Sequence, residues 1–248
     1  KRIIESDLIR TVNRRFAKRM LDQGAVGKPW LVKLDWLMSS RANTSRAWNW
    51  YSQEEKGGGV IGALGTHAFD IIHWLCGPVT SITSIHSTSI KERPNIETRK
   101  MMEVTSEDVV ISQIEINEPN GKRIYPGQVS LSAVSREGRG FSLEIYGSNG
   151  TLFLASSNQK DYVHGFSLNY APAGEKLRAI NPENEFIFPK TWTDGRIAPV
   201  ARLQNWWGES IRQQKPVIPG LHEGLLSQRL CDLSKQSSQT GQKLSLKQ

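Results

Sequence analysis

His67 is a residue type that could do chemistry, and it stands in a segment with helical spacing. An imidazole suits proton transfer because its unperturbed pKa, about 6.5, lets it take up and release a proton near neutral pH. Asp70 follows at an interval of three residues and Trp74 at a further four, which places the three side chains on one stripe of a helix. A lone histidine on a helix is commonly a structural residue, so the surrounding pattern has to decide its role.

The segment around His67, GGGVIGALGTHAFDIIHWLCG at residues 57–77, begins with three glycines and continues as an apolar helix. The glycines would let a ligand approach the backbone closely at the helix N-terminus, and we therefore predict that Gly58 and Gly59 contact substrate. Gly77 gives the stop signal of the helix. The apolar positions that recur at helical spacing are Ile61, Leu64, Ala68, Ile71, Ile72 and Leu75.

The glycines also match a second motif by spacing alone. Gly57, Gly59 and Gly62 satisfy the pattern G-x-G-x-x-G of dinucleotide-binding turns. Such a turn must follow a buried strand, and an acidic residue must come about 20 residues later at the end of the next strand. The polar stretch SQEEK precedes these glycines instead of an apolar strand, so we do not predict nucleotide binding here.

The polar loop that precedes the glycines is the second candidate for ligand binding. Trp48, Trp50 and Tyr51 could form an aromatic platform for a sugar-like ring, and Arg41 and Arg46 could supply hydrogen bonds or charge. Loops of this length usually serve binding. The alternative is that the aromatic side chains only anchor the loop in the core.

Alternating apolar and polar residues predict several half-buried strands. Phe141, Leu143 and Ile145 take one face of such a strand while polar residues take the other. One covered face is typical of an antiparallel sheet with helices packed on one side. The predicted strands are residues 31–37, 79–88, 108–116, 127–135, 139–147 and 151–155, the segment 156–199 is predicted to be strand and loop, and the later helices are 200–213 and 222–238.

The composition suits one large globular domain, since the chain has 248 residues with 38% hydrophobic content. No stretch approaches the roughly 18 uninterrupted apolar residues of a membrane span. The charged N-terminus is unlike a signal-peptide core, so we expect a cytoplasmic protein. Cys76 and Cys231 fall in predicted helices, and we expect two buried free thiols rather than a disulfide or a metal pair.

The net charge of +8 raises the question of a nucleic-acid partner. The 32 basic residues are dispersed, and no dense basic run accompanies an aromatic platform, so we expect no nucleic-acid binding. An anionic substrate or the phosphates of a cofactor would explain the charge, and so would an ordinary solvated surface. The other histidines lack partners at ligand-like spacing, so no metal site is predicted.

Several segments, taken in order, resemble a known family. They are NRRF at 13–16, DQGAVGKPWLVKLDW at 22–36, the glycine–histidine helix, YGSNGTLFL at 146–154 and the closing HEGLLSQRLCDLSKQSSQTGQKLSL. This set resembles the C-terminal domain of the Gfo/Idh/MocA oxidoreductases and covers most of residues 13–246. The resemblance implies an α+β fold, a large, open and mostly antiparallel sheet with helices packed on one face.

The resemblance also implies a domain organisation. Members of the family begin with a Rossmann domain that binds NAD or NADP and carry an E-K-P motif, and neither is found in this sequence. We therefore expect residues 13–248 to be the substrate-binding and dimerisation domain and residues 1–12 a remnant of the interdomain segment or cofactor domain. The isolated chain is expected to be inactive without its Rossmann domain and to form a dimer through the open face of the sheet.

The resemblance assigns roles to individual residues. His67 corresponds to the histidine that exchanges a proton with a hydroxyl of a sugar-like or cyclic polyol substrate. Asp70 could orient the imidazole, or it could cap the helix or face solvent. Apart from the resemblance, the charge of Arg15 could bring it to an anionic group of the substrate, although ordinary surface charge also explains this residue.

One departure from the family pattern keeps a second function open. Many catalytic members carry an aspartate four residues before the histidine, where this chain has Ala63. The alternative is therefore a non-catalytic binding or regulatory homologue, or a dimerisation module, with the same fold.

Overall fold

The computed structural model describes residues 12–118, 121, 123–158, 160–161, 163–216 and 218–246. The predicted remnant at residues 1–12 lies outside these residues except for Val12. In the described part of the chain the α-helices are α1 Val12–Asp22, α2 Thr66–Cys76, α3 Ile197–Gln213 and α4 Leu221–Thr240. The strands are β1 Pro29–Leu37, β2 Val79–Ser87, β3 Glu92–Pro94, β4 Met101–Glu103, β5 Val109–Asn117, β6 Ile124–Ser132, β7 Gly140–Gly147, β8 Gly150–Ser156, β9 Ser167–Pro172, β10 Arg178–Ile180 and β11 Leu244–Ser245.

Nine strands form one sheet in the order β10-β9-β8-β7-β1-β6-β5-β2-β11, and β3 and β4 form a separate hairpin. Strand β1 runs parallel to β6, with Val32 opposite Gly127 and Leu37 opposite Ser132. The other strand pairs of both sheets are antiparallel. The predicted fold, a large and mostly antiparallel sheet with helices on one face, is confirmed.

The two faces of the sheet differ as the alternation predicts. Phe141, Leu143 and Ile145 on β7 are at most 1% exposed and belong to the hydrophobic core. Their neighbours Ser142 and Glu144 are only half-buried, because no helix covers that side. The helices therefore pack against one face, and the opposite face is open.

Helix α4 protects the outer edge of β2 with hydroxyl groups. The short strand β11 pairs only with Ser81 and Ile82 of β2, which leaves later amides of β2 without a strand partner. The Ser84 amide donates to Ser237 Oγ at 3.0 Å, and the His86 amide donates to Ser238 Oγ at 2.8 Å. Serines of the helix thus replace the missing strand at an otherwise exposed edge.

The helix that carries His67 begins differently from the simple α-helix that the periodicity predicts. Helical geometry starts at residue 59, passes through a π-helical turn at Ile61–Gly65 and continues as α2. Gly65 makes close packing possible there, since a Cβ atom on it would lie 3.0 Å from Cys231 Sγ of α4. Both cysteines are buried free thiols, as predicted.

A distant carboxylate caps the start of this helix. Glu107 Oε1 accepts a hydrogen bond from the Ile61 amide at 2.8 Å, and the Glu107 carbonyl accepts one from the Val60 amide at 3.0 Å. Gly59 has φ +86°, and a Cβ atom on it would lie 2.3 Å from Glu107 Oε1. A glycine is therefore required where the carboxylate meets the first helical amides.

In the described residues, no helix has the length and apolar character needed to cross a membrane.

Glu107 provides a test of this packing. Glu107→Ala should lower the free energy of unfolding by about 1–3 kcal/mol, because the buried Ile61 amide loses its acceptor. Glu107→Gln keeps an acceptor oxygen and should lose less. Urea denaturation followed by circular dichroism measures both, with the exposed Glu92→Ala as the control variant. Equal stability of Glu107→Ala and the control would contradict the capping role.

The same carboxylate should give a pH dependence. Burial raises the pKa of Glu107 above its ordinary value of 4.5, so the folded state holds the proton more tightly than the unfolded state. The stability of the native protein relative to Glu107→Gln should therefore fall as the pH rises above about 4.5. Urea midpoints of the two proteins between pH 4 and 8 measure this difference, and a constant difference would contradict it.

Candidate functional site

The His67 imidazole lies in the first turn of α2, two residues after the π-helical segment, and faces the end of strand β1. Its ring centroid is 6.2 Å from that of Trp36, with the ring planes at 43°. His67 is partly exposed. The imidazole is nevertheless shielded from water, and this desolvation lowers the pKa of His67 to about 4. The positive charge of Arg14 lowers the pKa further. The imidazole is therefore neutral at pH 7 and able to accept a proton.

Aromatic rings connect His67 to helix α1. Trp36 is 5% exposed and contacts Phe141 edge-on, with the ring centroids 5.3 Å apart. The guanidinium carbon of Arg14 lies 4.7 Å from the Phe141 ring centroid and 4.4 Å from that of Phe166. Arg14 is only 1% exposed, so a charge held between two rings lies inside the core close to the imidazole.

Asp70 occupies a different environment from His67. Its side chain is buried, with 2% exposure, whereas His67 is partly exposed. Ala63, four residues before His67, packs against the core and offers no polar group. The orienting role of Asp70 stays a prediction.

The glycines before His67 are packed against the chain itself. A Cβ atom on Gly58 would lie 2.3 Å from the Tyr51 carbonyl oxygen, and Gly59 meets the Glu107 carboxylate. These contacts explain the glycines without a ligand, and the predicted substrate contacts of Gly58 and Gly59 stay untested.

The same contacts bear on the G-x-G-x-x-G spacing. A dinucleotide turn presents its free helix amides to a pyrophosphate. Here the Ile61 amide is bonded to Glu107, and a Cβ atom on Gly62 would lie 2.2 Å from the Gly57 carbonyl oxygen. Because the amide at the helix start is already bonded within the protein, these residues do not fit a nucleotide cofactor.

The loop after β1 holds its two tryptophans in different ways. Trp48 Nε1 donates to the Glu103 carbonyl at 2.8 Å, so this indole anchors the loop on strand β4. Trp50 is 55% exposed and touches Tyr51 edge-on at 5.8 Å between centroids, which leaves its ring accessible to a ligand. Arg46 is exposed and donates to the Ser40 carbonyl at 2.8 Å, within its own loop.

Arg15 points away from the His67 environment. Its guanidinium carbon lies 5.2 Å from the Trp206 ring centroid and 5.7 Å from that of Phe186, so it packs toward helix α3. The neighbouring Arg14 is the arginine whose charge acts on the imidazole. The structure therefore brings together His67, Trp36 and Arg14, and not His67 and Arg15.

Sequence reasoning missed three residues of this site. Trp36 shares its strand face with Val32 and Leu34, both fully buried, so alternation along β1 could have placed it inward. Arg14 and Glu107 gave no such signal, because their partners lie far away in the sequence. In the described residues, no group of three or more His, Cys, Asp or Glu side chains is arranged to hold a metal ion.

Comparison with known proteins gives the family. The sequence model described as "Oxidoreductase family, C-terminal alpha/beta domain" (GFO_IDH_MocA_C) matches residues 18–246. An uncharacterized oxidoreductase of Synechocystis sp. is 42% identical over 226 residues, which are 91% of this chain and 60% of that protein. The glucose-6-phosphate 3-dehydrogenase of Bacillus subtilis is 22% identical over 236 residues, which are 92% of this chain and 62% of that protein. The chain thus spans about three fifths of the length of these relatives.

Solved structures give the same answer for the fold. The levoglucosan dehydrogenase complex with NADH and L-sorbose superimposes with a TM-score of 0.82 at 19% identity, covering 98% of this chain and 65% of that chain. Because the identity is low, this likeness concerns the fold alone. With the family model matching nearly the whole chain, the protein belongs to the Gfo/Idh/MocA oxidoreductase family and comprises its C-terminal alpha/beta domain.

Proposed function

We propose that this chain is the substrate-binding and oligomerisation domain of an NAD(P)-dependent oxidoreductase that acts on a hydroxyl or carbonyl group of a sugar-like or cyclic polyol substrate. The observation that carries the proposal is the His67 imidazole, which is partly exposed, seated against Trp36 and neutral at pH 7. A neutral imidazole is the form that accepts a proton from a hydroxyl group.

In the proposed reaction the bond changes are simple. The substrate O–H bond breaks and its proton moves to His67, while the C–H bond on the same carbon breaks and its electron pair leaves as hydride, so that a C=O bond forms. A nicotinamide supplied by the Rossmann domain is the hydride acceptor. The glycines of this chain do not fit that cofactor, so we assign to this chain only the substrate and proton-transfer groups.

Similar proteins support a sugar-like substrate. One relative is a glucose-6-phosphate 3-dehydrogenase, and similar structures are complexes of levoglucosan dehydrogenase with NADH and either L-sorbose or levoglucosan. The exposed Trp50 ring offers this chain a surface on which a sugar ring could stack.

A non-catalytic binding or regulatory role is the second candidate, and one observation favours it. Ala63 stands where many catalytic members have an aspartate, and its side chain has no polar group. Without that aspartate, the imidazolium that forms during oxidation is less stabilised. Turnover by the enzyme with its Rossmann domain separates the two candidates.

The open sheet face supports the proposed dimer. Ile85 on β2 and Ile111 on β5 lie opposite each other and are 71% and 48% exposed. Paired exposed isoleucines on a sheet face without helices are a surface that a second copy of the chain would bury.

His67 provides the main test of the oxidoreductase proposal. In the enzyme joined to its Rossmann domain, His67→Gln should lower kcat/KM for sugar oxidation by about 10²- to 10⁴-fold, because the general base is lost. The pKa of about 4 predicts that kcat/KM stays level from pH 7 down to about pH 5, since the imidazole remains neutral throughout. Initial rates with NAD and NADP against a panel of sugars and cyclic polyols measure both.

The control variant is His164→Gln, whose side chain is 75% exposed, and it should leave the rates unchanged. The histidine signals in the NMR spectrum of the isolated chain give an independent readout, because the resonance missing in His67→Gln should titrate near pH 4 in the native protein. Full activity of His67→Gln, or no turnover with any substrate despite tight cofactor binding, would contradict the catalytic proposal.

The dimer is tested by the double variant Ile85→Glu, Ile111→Glu. Two desolvated charges on each copy should convert the proposed dimer to a monomer at micromolar concentration, which sedimentation velocity measures. The matched control is Ile211→Glu on α3, where the isoleucine is 76% exposed. A native protein that sediments as a monomer at these concentrations would rule out the proposed dimer.

A further inference from the structure

In the described residues, the loop between β1 and the glycines contains an arginine whose guanidinium donates no hydrogen bond within the protein. We propose that Arg41 binds an anionic oxygen group of the substrate, a phosphate or a carboxylate carried by the sugar-like compound. The inference rests on the proposed function, because it places this group on the substrate of the same domain.

The Arg41 side chain is held in place without hydrogen bonds. Its guanidinium carbon lies 3.9 Å from the centroid of the Tyr51 ring, so the cation is stacked on an aromatic face. Within the described residues the Arg41 guanidinium donates no hydrogen bond, although its Nη1 is shielded from solvent. A guanidinium carries five N–H donors, and leaving them unused in a half-buried place is costly unless a ligand accepts from them.

The other arginines of this region are used to fix the loop. Arg93 is 3% exposed and donates to the Asn43 carbonyl at 2.8 Å and to the Arg41 carbonyl at 2.5 Å. Arg136 donates to the Ala42 carbonyl at 3.2 Å. The backbone on both sides of Arg41 is therefore held by neighbouring side chains, which preorganises the Arg41 guanidinium for an external acceptor.

The charge around Arg41 is positive and uncompensated by its own loop. Residues 38–53 contain no Asp or Glu. Burial lowers the pKa of Arg41, and the charges of Arg46 and Arg93 act in the same direction, so these cations lie close enough to repel one another. The Asp108 carboxylate beyond the loop accepts from the Ser89 and Ile90 amides at 2.8 and 3.0 Å, and its charge acts on Arg93. An anion that bridges these cations would relieve the repulsion.

The position of Arg41 suits a substrate that also reaches His67. The Arg41 amide donates to the Ala133 carbonyl at 2.7 Å, so the loop starts at the ends of the parallel strands β1 and β6. Trp36, which contacts His67, is near the end of β1, and the Tyr51 carbonyl lies against Gly58 at the start of the His67 helix. Arg41 and His67 thus lie at the same end of the sheet.

Isothermal titration calorimetry on the chain tests this inference with four probes. Glucose 6-phosphate and glucuronate should each bind more tightly than glucose, and inorganic phosphate alone should compete with glucose 6-phosphate. Arg41→Gln should weaken binding of glucose 6-phosphate by about tenfold to a hundredfold, as expected for losing hydrogen bonds to a charged group. The exposed Arg212→Gln on α3 has the same change in net charge and should leave binding unchanged.

If Arg41→Gln unfolds, the native chain still tests the inference through its relative affinities for the probes. Equal affinity of the native chain for glucose, glucose 6-phosphate and glucuronate would overturn the inference. So would equal losses in Arg41→Gln and Arg212→Gln. If the complete enzyme oxidises a neutral sugar with dependence on His67 but shows no preference for charged sugars, the proposed function stands and only this inference falls.

Discussion

The helix that carries His67 must begin in the protein interior, and this constraint shapes much of the structure. The first amides of a helix lack partners within the helix, and burying them unpaired is costly. The chain supplies Glu107 from the segment before β5, and it needs a glycine at residue 59 to admit that carboxylate. With the start fixed there and Gly65 packed on Cys231 of α4, the direction of α2 is set. His67 consequently lies at the end of β1, where its ring faces that of Trp36.

The environment of His67 disfavours its protonated form. Burial lowers the pKa of His67 to about 4, and the charge of Arg14 acts in the same direction. The imidazole is therefore present as the base at pH 7, but it is a weaker base than an ordinary histidine. A carboxylate partner would raise the pKa of His67 and make the imidazole a stronger base. Ala63 offers no such carboxylate, and the partial exposure of His67 leaves solvent as the group that can exchange protons with it.

The spacing of apolar residues predicted the covered face of the sheet and the helix that carries His67. The alternation of Phe141, Leu143 and Ile145 identified the covered face, and the spacing around Ile71 identified the helix. Helix α1 was not predicted, although its apolar residues Val12, Phe16 and Met20 recur at helical spacing. The parallel pairing of β1 with β6 and the capping by Glu107 depend on contacts between distant segments, which no local pattern encodes. For the candidate site, the resemblance singled out His67, but only the fold revealed that Arg14, rather than Arg15, acts on it.

Arg14 and Arg41 both lie against aromatic rings, but their surroundings differ, which indicates a structural role for Arg14 and a binding role for Arg41. Arg14 is 1% exposed between two phenylalanines, in a place that no ligand can enter without opening the core. Arg41 has an aromatic ring on one side only and lies in a loop whose carbonyls are already satisfied by other arginines. A cation fixed by one ring keeps its N–H donors available to an acceptor, so binding costs little reorganisation. The loop can therefore change its ligand by exchanging Arg41 while the core that positions His67 stays the same.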